Sequence, residues 1–234
     1  MKRALPFLII GIVLVIAVMA ALYLKRSSDP PSAPSSPAAG SPATNNRTLP
    51  SIDPAAGATG ATPPHTHGPE DAPVTLEEFG DFECPPCGML HPVLQTMEKE
   101  FGGRIRIIFR EFPLVPAHVH ALAAARSAEA AGLQGKFWEM HDLLYDNQKT
   151  WHDAFDARPI FEGYANRIGL NMEKFRSDLS SEAVAQRIFL DGKRARALGV
   201  TGTPTVFING REIPFESLAP DKLRALIQAQ LNAK

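Results

Sequence analysis

The pattern of apolar and polar positions divides the chain into three stretches. Residues 4–24 (ALPFLIIGIVLVIAVMAALYL) carry no charge and end at Lys25-Arg26. A helix of that length spans roughly 30 Å, one hydrocarbon core. The run therefore predicts a single transmembrane helix within an N-terminal anchor, residues 1–26. A cleaved signal peptide ending near Val18-Met19-Ala20 is the alternative. Residues 27–67 show no periodicity: 32 of these 41 residues are Pro, Gly, Ser, Ala or Thr. Such a stretch buries too little apolar surface to offset its ordering entropy and reads as a disordered linker, with His65 and His67 as a solvated pair at its end.

From residue 68 to 234 regular patterns appear. Val74–Phe79 reads as a strand and 85–101 as a helix opened by Pro85 and Pro86, which a first turn tolerates. Arg104–Phe112 reads as a second strand. A long helical block follows, beginning with alanine-rich Pro116–Leu133 and ending near Leu198. Thr205–Asn209 is a third strand, Arg211–Pro214 its hairpin partner, and Leu218–Leu231 a terminal helix. The order β-α-β, helical block, β-β-α predicts an α/β domain with an all-helical insertion over about 117–199.

Charge and cysteine content narrow the chemistry. The chain has 24 Lys and Arg against 25 Asp and Glu, which argues against a nucleic-acid partner held by a basic face. Its two cysteines, Cys84 and Cys87, exclude a disulfide-rich scaffold and an all-cysteine zinc site. No H-E-x-x-H, G-x-G-x-x-G, P-loop or G-x-S-x-G pattern occurs, and neither a metal nor a cofactor is expected.

Cys84-Pro85-Pro86-Cys87 follows a strand and opens a helix. Free N–H groups and partial positive charge at a helix N-terminus favour a thiolate over a thiol. Cys84, at the outer end, is the expected nucleophile; Cys87, one turn in, is less exposed and resolves the mixed disulfide. A disulfide closing so short a loop would add little stability as a staple. A copper site using Met89 or His91 with the two thiols stays open at this point. Trp138, His141, Trp151 and His152 read as packing or surface residues, and His118 and His120 as helix-start residues.

Glu78 to Cys87 (EFGDFECPPC) resembles the active-site stretch of the thioredoxin superfamily, and more narrowly that of the DsbA-like, membrane-anchored thiol:disulfide oxidoreductases. Pro92 stands where thioredoxin folds carry a helix-kinking proline. Val200–Thr205 (VTGTPT) resembles the loop with the family's cis-proline. The resemblance implies a thioredoxin-like fold over 68–234 with the helical block as its inserted domain. It implies a cis Thr203-Pro204 bond beside the cysteines, with Thr203 contacting the substrate. It also makes Glu78 the buried acid that exchanges a proton with the resolving thiol, while its neighbour Glu77 points to the other strand face. One departure matters: Pro86 replaces the histidine of the strongest oxidants. That substitution predicts a Cys84 pKa below a free thiol but above the strongest oxidants, and an intermediate potential.

The resulting expectation is a thiol:disulfide oxidoreductase exchanging disulfides with protein substrates, most simply by forming them. It would sit in a bacterial inner membrane by a single pass, its C-terminal domain periplasmic, where glutathione does not hold thiols reduced. A membrane redox partner would recycle it. A reductase or isomerase on the same fold, a copper-binding or chaperone module, and a peptide holdase without turnover are the rivals.

Overall fold

The computed structural model describes residues 59–233. Five strands form one sheet in the order β1-β3-β2-β4-β5: β1 His65–His67, β2 Val74–Gly80, β3 Ile105–Glu111, β4 Thr205–Ile208 and β5 Arg211–Glu212. β2 and β3 run parallel, Val74 opposite Ile105 and Gly80 opposite Glu111, joined through helix α1, Pro85–Phe101. β4 pairs antiparallel to β2, with Glu78 opposite Val206. β2 is covered on both sides, which explains why it is buried almost throughout.

Between β3 and β4 lies the helical block: α2 Ala121–Gly132, α3 Phe137–Asp146, the single turn α4 Gln148–Trp151, α5 Arg158–Arg167, α6 Met172–Asp178 and α7 Glu182–Ala197. Helix α8, Pro220–Asn232, closes the chain after a 3₁₀ turn at Phe215–Leu218. The expected α/β fold with a helical insertion is therefore present.

One of the apolar cores contains both cysteines. Val74, Leu76, Leu90, Leu94, Met97 and Ile227 pack α1 and α8 onto one sheet face. Phe82, Phe109, Met140, Leu144, Trp151 and Phe161 build the helical core, and that cluster includes Cys84 and Cys87. The opposite sheet face packs Phe79 and Phe207 with Ala195 and Val200.

Two expectations need correction. The folded part begins before residue 68, because His65–His67 pairs with Ile107–Phe109 of β3. His65 is no solvated linker residue: it stacks on Phe137 at 3.4 Å and meets Glu129 Oε2 at 3.0 Å, while His67 meets Glu98 Oε1 at 2.7 Å. The strand HTH contains no aliphatic residue, so hydrophobic patterning misses it. Second, the alanine-rich helix begins at Ala121, not at Pro116. Asp81 accepts from the Leu114 N–H and contacts His118 Nδ1, and Glu83 accepts the His120 N–H, tying the preceding residues into a loop.

The expected anchor at 4–24 and the linker residues 27–58 lie outside the described residues. Among those described, no helix is long and apolar enough to cross a membrane.

Candidate active site

Cys84 is the N-cap residue of α1, with extended backbone angles (φ −69°, ψ 117°), and Pro85 and Pro86 occupy its first turn. A side chain at this position ordinarily accepts hydrogen bonds from the N–H groups two and three residues on. Pro86 has none, so only the Cys87 N–H remains to serve the Cys84 sulfur. The Gly88 N–H is already committed to the Cys84 carbonyl at 3.1 Å.

Both thiols are unbridged. Cys84 keeps 4% of its surface and Cys87 none, so of the two thiols only Cys84 has surface open to the outside. The Thr203-Pro204 bond is cis, and the Cys84 thiol donates to the Thr203 carbonyl at 3.3 Å. The structure thus brings Cys84, Cys87, Thr203 and Pro204 together across 119 residues of sequence separation.

The two sulfurs are poised oppositely. The Cys87 thiol, by hydrogen bonding to the Cys84 sulfur, is the largest influence drawing the Cys84 pKa down to about 6; the Thr203 side chain and the Cys87 N–H add to it against the cost of burial. Cys87 is pushed well up, first by burial, then by the same sulfur–sulfur contact and the nearby Glu78 charge.

Glu78 is no solvated strand residue. It is buried on the α1 face of β2, its Oε1 has no protein partner, and burial followed by the Cys84 charge raises its pKa to about 8. Glu77 points to the other face. There it accepts from Arg110 at 2.8 Å and from Arg194 at 2.7 Å. Burial pushes Glu77 up, but the two guanidiniums outweigh it and its net pKa is lowered.

Sequence reading missed Gln148. Its Nε2 donates to the carbonyls of Phe82 at 2.7 Å and Cys84 at 2.9 Å, fixing the strand-to-helix turn. Gly88 makes this possible, because a Cβ there would stand 2.5 Å from Gln148 Oε1. Asp81 is the second omission: one carboxylate oxygen accepts the Glu83 N–H at 2.8 Å and the other the Leu114 N–H at 2.8 Å. A glycine and a short acid beside the cysteines were the signals, but their partners lie far along the chain. Trp151, expected as packing, is wholly buried with its Nε1 donating to the Leu144 carbonyl; Trp138 donates to Thr66.

Comparison with known proteins agrees with this geometry. A family model described as thioredoxin matches residues 61–229. The chain is similar to BdbD from Bacillus subtilis (TM-score 0.64, 23% identity, 72% of this chain and 93% of that one). It is similar to a thioredoxin-like oxidoreductase from Silicibacter pomeroyi (TM-score 0.58, 25% identity, 70% and 92%). It also resembles alpha-DsbA1 from Wolbachia pipientis (TM-score 0.62, 19% identity, 74% and 93%). In sequence it is 45% identical over 148 residues to the Na(+)/H(+) antiporter NhaA 1 of Salinispora arenicola, covering 63% of this chain and 22% of that protein. The chain spans about a quarter of the length of the curated relatives it matches. With a family model covering most of its residues, the chain belongs to the thioredoxin family and carries the DsbA-like form of its fold.

Proposed function

We propose that this DsbA-like thiol:disulfide oxidoreductase forms disulfides in protein substrates outside the cytoplasm. The observation that carries the reading is the opposed poise of two sulfurs one helical turn apart: Cys84 down to about 6, Cys87 well up, with Cys84 against the cis Thr203-Pro204 loop.

In the oxidising direction a substrate thiolate attacks Cys84 Sγ of the Cys84–Cys87 disulfide. The enzyme S–S bond breaks, a substrate–Cys84 bond forms, and Cys87 leaves as a thiolate. Burial disfavours that thiolate, and Glu78, protonated below about pH 8, supplies its proton. A second substrate thiolate then attacks the substrate sulfur of the mixed disulfide and expels Cys84, whose low pKa makes it a good leaving group. Two electrons pass from the substrate dithiol to the enzyme pair. A membrane redox partner would accept them, and residues 4–24 would anchor the chain beside it.

Protein rather than small-thiol substrates are supported by an apolar groove of about 300 Å³ beside the cysteines, bordered by Pro86, Met89, Val93, Pro204 and Phe215, with Met89 and Phe215 largely exposed. Flexible thioether and aromatic surface suits unfolded chains of varied sequence.

The test is disulfide transfer from the oxidised chain to a reduced, unfolded protein, with a glutathione titration alongside. The expected outcome is stoichiometric transfer, lost in Cys84→Ser, at a potential between roughly −120 and −270 mV. A chain that reduces disulfides in a folded protein but transfers none to reduced chains would reverse the assigned direction. A Cys87→Ala variant should accumulate mixed disulfides through Cys84, which a holdase would not.

A further inference from the structure

Along α1 from the cysteines, imidazoles and carboxylates gather at a cavity of which only Glu78 serves the exchange chemistry. It holds about 50 Å³ and is bordered by His67, Glu78, His91, Glu98, His141 and Asp142. His91 comes from α1, two turns below Cys84, and His141 and Asp142 come from α3 of the helical block. One potential ligand atom from each of these three residues lies within 4.8 Å of the other two.

Both rings sit in an aromatic cluster, His141 against Phe82, Phe109 and Trp138 and His91 against Tyr145, but packing alone leaves a ring nitrogen of His141 unpaired. His91 and His141 are each only 5% exposed. His141 Nδ1 meets Asp142 Oδ1 at 3.0 Å, while its Nε2 is buried without a partner. Two donor atoms 3.0 Å apart stand close to the spacing of neighbouring ligands on one ion, so His141 Nδ1 and Asp142 Oδ1 can face the same metal. His91 Nε2 lies 3.1 Å from Gln95 Nε2, an amide that an ion bound at this nitrogen would displace.

A fourth donor is in place. Asp146, one turn beyond Asp142 on the same face of α3, puts Oδ1 3.4 Å from His91 Nε2. Asp142 Oδ1 stands 3.9 Å from the same nitrogen. His91 and Asp146 also border an open cleft between α1 and the helical block, which gives an ion a route in. Two imidazoles and two carboxylates, borne on two helices, match the nitrogen and oxygen donors and fourfold coordination of zinc; a calcium or magnesium site would draw on oxygen alone.

We propose that His91, His141, Asp142 and Asp146 form a zinc site that ties the cysteine-bearing helix α1 to the helical block. Closing it requires the side chains to draw together from their present separations toward ligand distances of about 2.0–2.2 Å from the ion. No electron transfer is involved, and the site stands whether or not Cys84 and Cys87 form disulfides in substrates.

The test uses the full chain with Cys84→Ser and Cys87→Ser, so that thiols cannot bind the ion. Zinc is titrated calorimetrically, and bound metal is counted after gel filtration. The expected result is about one zinc per chain and a melting temperature raised by about 5–10 °C at a hundredfold excess over Kd. His141→Gln should abolish binding, and Asp142→Asn should weaken it at least about tenfold. Asp142 is nearly half exposed, so its variant decides the matter if the histidine variant fails to fold. No zinc retained by the thiol-free chain would overturn the proposal, as would binding that Asp142→Asn and His91→Gln leave unchanged.

Discussion

Glu77 and Glu78 are neighbours on one strand and have opposite fates. Strand alternation sends their side chains to opposite faces of β2. On one face Glu77 finds Arg110 and Arg194 and is held as a carboxylate in a buried ionic cluster that also contains Asp191. On the other, Glu78 finds no cation, loses its water beneath the cysteines and is held as an acid at neutral pH. The same side chain thus serves as a structural anion or a proton reservoir according to what the opposing layer supplies. The Glu77 face ties β2 to β3 and α7. The Glu78 face supplies the chemistry, at a cost in stability that depends on pH.

The largest effect that would sharpen this contrast comes from the ionic side. Arg110→Met leaves Glu77 and Asp191 short of a buried cation and should cost about 3 kcal/mol or more in denaturant unfolding. The Cys84 pKa should not move; a shift of the alkylation midpoint by a full unit would show that the two faces are coupled.

Glu78→Gln should act in the reverse sense. The folded pKa of Glu78 is raised to about 8 from an ordinary 4.5, so its contribution is fully present below about pH 4.5 and is lost as pH rises through 8. The Gln variant, unfolded with both thiols free, should therefore gain stability over the parent across that window, on the order of a few kcal/mol. An unfolding difference flat from pH 4.5 to 8 would place a charged carboxylate at this position. In the same variant, resolution of the mixed disulfide by Cys87 should slow by about 10²-fold. Unchanged exchange kinetics would remove Glu78 from the mechanism.

The smallest effect concerns the helix start. Pro86→His restores a backbone N–H and adds an imidazole next to Cys84, and should lower the Cys84 pKa by about one unit, making the chain a stronger oxidant. A potential that stays fixed would show that the sulfur–sulfur contact alone sets it.

How much of this was legible in the sequence depended on whether the controlling interaction was local. Helix α1 was, to the residue: two prolines mark its start, and buried Cys87, Leu90, Leu94, Met97 and Phe101 follow helical spacing. The cysteine pair announced itself by spacing. The cis bond at Pro204 and the burial of Glu78 came from resemblance, since nothing in a lone proline or glutamate reveals either. Strand β1 escaped because its side chains are held by imidazole contacts to Glu129, Glu98 and Phe137, all from distant segments. Gln148 escaped for the same reason: its role depends on α4 lying over the Cys84 turn, 64 residues away. His141, read as packing, does pack against Phe82, Phe109 and Tyr145, and it also borders a cavity that strands β1–β3 build with α1 and α3.

The central claim is that Cys84 is the poised sulfur and Cys87 its guarded partner. Alkylation of the reduced chain by iodoacetamide, followed by rate against pH and by mass mapping of the modified residue, tests it most directly. A single site at Cys84 with half-maximal rate near pH 6, and Cys87 unmodified throughout, is the result expected from the geometry. A midpoint near the ordinary thiol value of about 9, or Cys87 reacting first, would contradict it.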